Sequence, residues 1–497
     1  MWGGAMKQQA QFLRDPVPSD FSRFTIYSIR IKKIGYDQDT CPLGSTQNCM
    51  LGADVWGALL LHGPKPLLPS IRSLFHSEEK FRAERNHVEV DSFEASPLLF
   101  GPELREVDLR VPEISAVFPE YRPTELVEQL ALAAPLLERL TLQAHRLWHL
   151  PGTKSSCLSG SIVGEFRRLV YFSGHSIHVD PEALLALGSL PSLRDIRLHV
   201  DSQKYAWDAL PHKRHSKELF PGLTKLDPYY TDFDWCSAFL RVATPTSLQT
   251  LWITDERAVA PALQLEGLCA SIGDLPCAHS LRELIITTGR NLSNMERVVC
   301  HPRRIAPLLV PSLSGLRRIK FQGRCRVVVD DRTLDDMARA WPAIEQVKFV
   351  VQDTSPDNEL YGPPDVEMWP GTPISDNPDF TKATLVGLTA FVRRCPRITV
   401  LALALDMRVV PDLATRLPSA PRACELHASA SLKQLFAVGS VPREPLRFAA
   451  FLCATFPQLE AVQCYADLRG QVEWYHRRLV IVRQQERKWA LAHGRNL

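Results

Sequence analysis

The stretch Leu190-Pro191-Ser192-Leu193-Arg194-Asp195-Ile196-Arg197-Leu198-His199 decides the fold. Proline cannot continue a preceding helix, since it lacks the N–H and its ring clashes with the turn before it. Three residues after Leu193 comes Ile196 and two after that Leu198, with Asp195, Arg197 and His199 at the alternate positions. Apolar and polar side chains alternating with period two mark a strand with one buried face. The stretch says: end a helix, turn, and lay down one short strand.

Outward from it, the same unit recurs along almost the whole chain. Its first apolar residue falls at Ile71, Leu104, Leu137, Phe166, Leu193, Leu223, Leu248, Leu281, Leu316, Ile344, Ile398, Leu432 and Leu459, with a weaker copy at Ile31-Lys32-Lys33-Ile34. From Leu104 to Ile344 eight intervals cover 240 residues, a mean of 30. Apolar triplets recur by chance, so the register needs a second witness, and proline supplies it. Proline stands two residues before the first apolar position at 69, 102, 135, 191, 221, 342, 396 and 457, eight of thirteen units, where 38 prolines in 497 residues would place about one.

Helical segments fill the space between strands. Pro123 to Leu130 and Asp180 to Leu185 open with proline and acids where helix starts favour them, Asp180 as an N-cap. Asp331 to Ala338 and Ala383 to Arg394 are further helices. One strand and one helix per unit predict an α/β leucine-rich-repeat solenoid, a curved array of parallel strands with outer helices in irregular repeats of about 25–35 residues. Residues 1–19 are polar and without period, a loose N-terminus; residues 20–470 form the array, with 37–55 an irregular connection. The long interval from Ile344 to Ile398 holds a proline-rich insertion at 351–379, read as a surface excursion. Residues 471–497 carry six Lys/Arg against two Glu and helical apolar spacing, a terminal helix capping the last repeat.

A net charge of +3 argues against nucleic acid or an anionic membrane as partner, and the apolar runs fall short of a membrane span. The N-terminus lacks the apolar core of a secretory signal. Twelve scattered cysteines with no C-x-x-C pair fit buried thiols in a reducing compartment, so the protein is expected inside the cell, cytoplasmic or nuclear. No phosphate loop, H-E-x-x-H or G-x-S-x-G occurs. His175 with His178, and His212 with His215, have no completing ligand set, and the basic run 212–215 reads as a solvated loop. The expectation is therefore no enzyme, no cofactor and no metal.

The repeats resemble those of fungal F-box/leucine-rich-repeat proteins. The residues that carry the likeness are Asp20-Phe21-Ser22-Arg23-Phe24 to Ile34, the unit Pro181 to Leu198, the recurrent Pro-x-Leu-x-x-Leu starts, and the tail around Trp474 and Trp489. The resemblance implies a solenoid that holds a protein target, joined to an F-box bundle that binds the Skp-type adaptor of a cullin ubiquitin ligase. An F-box needs more chain than the 19 residues before Asp20, so the adaptor is expected as a partner only where an F-box lies upstream. The asparagine that regular repeats place after the strand is also absent: the positions read His145, Asp201, Glu256, Gly289 and Asp406.

Strand alternation turns the residues between the buried leucines to the inner face. The candidate protein-binding residues there are Arg139, Arg197, Trp252, Ile285, Arg318, Lys320 and Lys348; aromatic and cationic side chains of this kind dominate protein-binding hot spots. Three functions follow: the substrate-recognition part of an F-box/leucine-rich-repeat ubiquitin-ligase receptor, a stand-alone interaction scaffold, or a nucleic-acid binder using the basic strip. The target is an unidentified protein.

Overall fold

A computed structural model describes residues 9–10, 17–34, 50–51, 53–77, 96–111, 123–144, 157–158, 160–199, 219–229, 231–255, 262–288, 298–323, 325–349, 383–411, 431–439, 442–464 and 469–492. The insertion 351–379, the basic run 212–215, most of residues 1–19, and positions 145, 201, 256 and 289 lie outside them. The chain forms two compact units, Met1–Tyr229 and Tyr230–Leu497.

The first unit contains strands β1 (Gln9–Ala10), β2 (Lys33–Ile34), β3 (Met50–Leu51), β4 (Ser73–Ser77), β5 (Glu106–Val111), β6 (Arg139–Ala144), β7 (Cys157–Leu158), β8 (Tyr171–Val179), β9 (Asp195–His199) and β10 (Lys225–Tyr229). Its helices are α1 (Phe21–Ser28), α2 (Ala53–His62), α3 (Pro123–Ala133), α4 (Gly160–Gly164) and α5 (Pro181–Gly188). Strands β2, β4, β5, β6, β8, β9 and β10 lie side by side, every pair parallel. Short β1 pairs with β3 apart from this row.

The second unit repeats the plan. Its strands are β11 (Thr250–Asp255), β12 (Glu283–Thr288), β13 (Val298–Cys300), β14 (Arg318–Gly323), β15 (Cys325–Val327), β16 (Gln346–Lys348), β17 (Ala383–Thr384), β18 (Val400–Asp406), β19 (Gln434–Gly439) and β20 (Ala461–Cys464). Its helices are α6 (Phe233–Ala243), α7 (Ala262–Gly273), α8 (Pro302–Ile305), α9 (Asp331–Ala340), α10 (Leu385–Arg394), α11 (Pro445–Thr455) and α12 (Arg469–Ala492). Strands β11, β12, β14, β16, β18, β19 and β20 form the parallel row. Parallel strands joined, in most of the described repeats, through a helix make both units α/β leucine-rich-repeat arrays.

The recurring prolines have a local job. In Leu190-Pro191-Ser192-Leu193 the Leu193 N–H donates to the Leu190 carbonyl at 3.4 Å, and equivalent i to i+3 bonds close at Leu104, Leu137, Leu223, Ile344, Ile398 and Leu459. Proline therefore sits at the second position of a β-turn, where its fixed φ fits. The turn ends the helix and aims the next strand. Ile71, Leu104, Leu223, Leu248, Leu281, Leu316, Ile344, Ile398 and Leu432 are each 0% exposed, and Ile34, Leu74, Val107 and Leu140 fall on one row three residues further along each unit.

One unit is out of step. Leu140 faces Phe172, so the residue equivalent to Leu137 is Leu169 rather than Phe166. Phe166 instead opens the turn, its carbonyl accepting from the Leu169 N–H at 3.0 Å. Both side chains are buried, and no proline stands in this unit to distinguish them.

Helix starts are capped as their chemistry requires. Asp180 accepts from the Ala183 N–H at 2.6 Å, Asp232 from Trp235 at 2.5 Å and Asp330 from Thr333 at 2.7 Å. Helix α10 begins two residues after Ala383, because Ala383–Thr384 pairs with β18 as β17 and Thr384 becomes the cap. Across the long interval, Asp331 of α9 clasps Thr384: its carboxylate accepts from the Thr384 N–H and hydroxyl, each at 2.7 Å. Arg394 of α10 adds an ion pair to Asp335 of α9. Helix α12 packs on α11 and β20 through buried Val472 and His476, with Arg483 donating to the Cys453 carbonyl. No helix among the described residues is long and apolar enough to cross a membrane.

Candidate functional site

A parallel sheet covered on both faces reads as continuous apolar runs. Strand β9 instead alternates, with Ile196 and Leu198 buried and Asp195 and Arg197 half-exposed, so one face of its strands is open. Stacking in register turns single side chains into rows that cross the strands.

In the first unit one row runs Glu106, Arg139, Tyr171, Asp195, Lys225 and the next Asp108, Thr141, Ser173, Arg197, Asp227. Their charges answer one another across neighbouring strands. Arg139 Nε lies 3.2 Å from Glu106, and its guanidinium carbon stands 4.3 Å from the Tyr171 ring centre. Arg197 reaches the same ring at 6.0 Å and Asp227 at 3.7 Å. Lys225 Nζ lies 3.9 Å from Asp195. Burial pushes the Asp227 carboxyl up to about 6; Arg197 and then Lys225 pull the other way, and Asp195 adds to the rise. At 3.7 Å the Arg197 pairing does not offset the loss of water around Asp227, which is 8% exposed. Asp195 is raised for the same first cause, opposed by Lys225, Arg197 and Arg139.

In the second unit the first row runs Thr250, Glu283, Arg318, Gln346, Val400, Gln434, Ala461. The second runs Trp252, Ile285, Lys320, Lys348, Ala402, Phe436, Gln463. Arg318 Nη1 donates to Glu283 Oε1 at 3.2 Å. Trp252, Ile285, Lys320, Lys348 and Phe436 are all half-buried, while the short Ala402 between the last two is 2% exposed and forms a floor. Burial pushes the Lys348 ammonium below its ordinary range, and among the described residues it has no hydrogen bond or ion pair.

Of the seven residues singled out from the sequence, Trp252, Ile285, Lys320 and Lys348 thus stand consecutively on one row, with Arg318 on the row beside it. Arg139 and Arg197 lie in the first unit, each engaged by a carboxylate and by Tyr171. On β9, β11, β12 and β14 the alternation does not continue to the third inner position. His199, Thr254, Thr287 and Gln322 are all under 9% exposed, because the strands end in consecutive buried residues. There Thr287 donates to Gln322 Oε1 at 3.2 Å, and Thr288 donates to the Gln322 carbonyl at the same distance. On these strands the open face is two rows deep, whereas Gln143 of β6 and Tyr229 of β10 stay half-exposed at the same position. Sequence reasoning missed Tyr171, hidden by the slipped unit at Phe166, and Asp227 and Phe436, which sit four residues after Leu223 and Leu432, where the register puts inner-face residues.

No protein-family profile matches the chain, and no curated protein matches its sequence. Among solved structures it is similar to a Leptospira interrogans leucine-rich-repeat protein at 13% identity and TM-score 0.35, covering 80% of this chain and 78% of that one. An internalin from Listeria monocytogenes is similar at 10% identity and TM-score 0.36, covering 87% and 89%. Yeast Rad7, in its complex with Elc1, is similar at 11% identity and TM-score 0.31, covering 79% and 74%. Scores this low leave the fold assignment resting on the strand order and register themselves.

Proposed function

We propose that the chain is a non-enzymatic protein-binding scaffold that uses the open strand face. The observation that carries this reading is the second-unit row: half-buried aromatic, aliphatic and cationic side chains held in register on neighbouring strands. Side chains fixed on rigid strands bind with little further ordering, and aromatic anchors beside cations dominate binding energy where they occur. The finer reading is the substrate-recognition part of an F-box/leucine-rich-repeat ubiquitin-ligase receptor acting in the cytoplasm or nucleus; the resemblance in repeat chemistry supports it.

The test is affinity capture with the wild-type chain, with Trp252→Ala/Lys320→Ala, and with Leu132→Ala on the exposed side of α3. A partner held by wild type and Leu132→Ala but lost from the double variant supports the scaffold. Capture equal in all three sinks it. A captured partner that accumulates when this chain is removed from the cell supports the ligase reading; unchanged abundance leaves a stand-alone scaffold.

A further inference from the structure

Helix α12 carries two stripes along its length, and only one packs on the array. Val472, His476, Leu479 and Arg483 recur at the spacing of a single helix face. Val472 and His476 are buried, and Leu479 and Arg483 are half-buried, where the helix meets α11 and β20. A shift of two residues, about 200° round the helix, gives Trp474, Arg478, Ile481 and Gln485, with Val482 and Trp489 on the same side. There Trp474, Ile481, Val482 and Trp489 are 48%, 53%, 47% and 52% exposed. A helix that closes a repeat array keeps it soluble by turning a polar face outward; this one turns two indoles outward.

The exposed stripe runs the same course from either end: aromatic, polar, aliphatic, aliphatic, polar, aromatic. Trp474 and Trp489, Arg478 and Gln485, and Ile481 and Val482 all lie symmetrically about the midpoint of the last pair. Two such helices laid antiparallel about a two-fold axis there bring Trp474 of each copy beside Trp489 of the other, the self-complementary contact of a closed dimer. Parallel helices would set Arg478 against Arg478 and Lys488 against Lys488. Antiparallel ones set Arg478 against Gln485 and Lys488 beside Tyr475, so like charges stay apart. The ends fit as well. A groove of about 410 Å³ between α11 and α12 is lined by Leu446, Ala450, Gln471 and Tyr475, among others. Trp474 packs edge-on against Tyr475 with ring centres 5.0 Å apart, and the Arg478 guanidinium carbon stands 3.9 Å from the Trp474 ring centre. Four residues spaced as Gln471, Trp474, Tyr475 and Arg478 frame a hole on a helix surface for an incoming side chain. In the antiparallel register that side chain is Trp489 of the second copy.

We propose that this face of α12 pairs antiparallel with the same face of a second copy, making the chain a two-fold dimer. The pairing goes beyond the scaffold reading and does not rest on it; a dimer brings two open strand faces to whatever they bind. Half-exposed, the two tryptophans and two aliphatic side chains of each copy offer about 450 Å², or about 900 Å² for the pair before the polar rim is counted. That is the size of a weak, reversible association.

The test is sedimentation velocity of the full chain across about 1–200 μM, where the mass should rise from one chain to two with concentration. Ile481→Glu/Val482→Glu, which sets acids against each other at the axis, should leave a monomer throughout. Gln485→Glu places a carboxylate against Arg478 of the other copy in two symmetric positions. It should lower the dissociation constant about fivefold, as two exposed ion pairs do, and Gln485→Lys should raise it by a similar factor. Circular dichroism of each variant checks that it is folded. A wild-type monomer at every concentration would overturn the pairing and leave the stripe to a different protein. A dimer unmoved by Ile481→Glu/Val482→Glu would overturn it too, since that dimer uses another surface. So would a dimer weakened by Gln485→Glu, as parallel helices would be.

Discussion

Asp227→Asn should stabilise the protein at neutral pH. The carboxylate is 8% exposed, its nearest cation is 3.7 Å away, and burial raises it from 3.8 to about 6. A carboxyl whose folded value is raised binds its proton more tightly folded than unfolded, so its penalty is absent in acid and grows as pH rises from 3.8 through about 6. At 1.36 kcal/mol per unit the full penalty is about 3 kcal/mol above neutrality, and moving from pH 7.5 to pH 5.0 recovers about 1.4 kcal/mol. Asparagine keeps the shape and never ionises. Arg197 loses its anion, but its side chain is 39% exposed, so the rest of its guanidinium keeps its water. Urea unfolding followed by circular dichroism at both pH values gives the comparison, with wild type minus variant cancelling the other titrations. The variant should be the more stable at pH 7.5, and its advantage should shrink by about half at pH 5.0. A variant less stable at pH 7.5, or an advantage unchanged by pH, would refute the claim that burial outweighs the Arg197 pairing.

Leu251→Ala, at a 0% exposed position, should cost about 2–5 kcal/mol, while Lys320→Ala on the open face should stay within about 0.5 kcal/mol. Equal losses in thermal unfolding would mean that the strand register is wrong. Gly387→Ala should cost about 1–3 kcal/mol, because a Cβ there runs into the Asp331 carboxylate that holds Thr384; an unchanged melting temperature would show that this contact is slack. Burial pushes the His476 imidazole below its ordinary 6.5, so the fold favours the neutral ring and loses stability as pH falls below that value. Limited proteolysis should release α12 faster at pH 5 than at pH 7.5 in wild type, and His476→Gln should remove the difference.

The strand register was legible because two independent signals agreed: apolar spacing and the turn proline two residues ahead of it. Where proline was missing, at Phe166, spacing alone could not separate a turn residue from a strand residue, since both are apolar and both are buried. The cap at Asp180 follows from local side-chain chemistry, but the clasp of Asp331 on Thr384 spans 53 residues and has no local signature. The candidate face was legible to the depth of two rows. The third position alternates in sequence just as the first two do, and only tertiary packing buries His199, Thr254, Thr287 and Gln322. Self-compensation of Arg139 and Arg197 was equally hidden, since it depends on which strands are neighbours.

The Asp331 clasp also bears on how the chain folds. A repeat array gains order by propagation, each unit docking on the one before. Most steps close about 30 residues, whereas the step from Ile344 to Ile398 closes 54. By the logarithmic law of loop closure the extra length costs only about 0.5 kcal/mol. Two hydrogen bonds to a carboxylate, worth about 1.5–3 kcal/mol each, more than offset it. Length in this interval is therefore nearly neutral for equilibrium stability, and insertions or deletions there can accumulate without loosening the array. The kinetic consequence is as small, about a twofold slower docking of α10 on α9, whereas losing Asp331 should favour a state in which the repeats before the interval are docked and those after it are not.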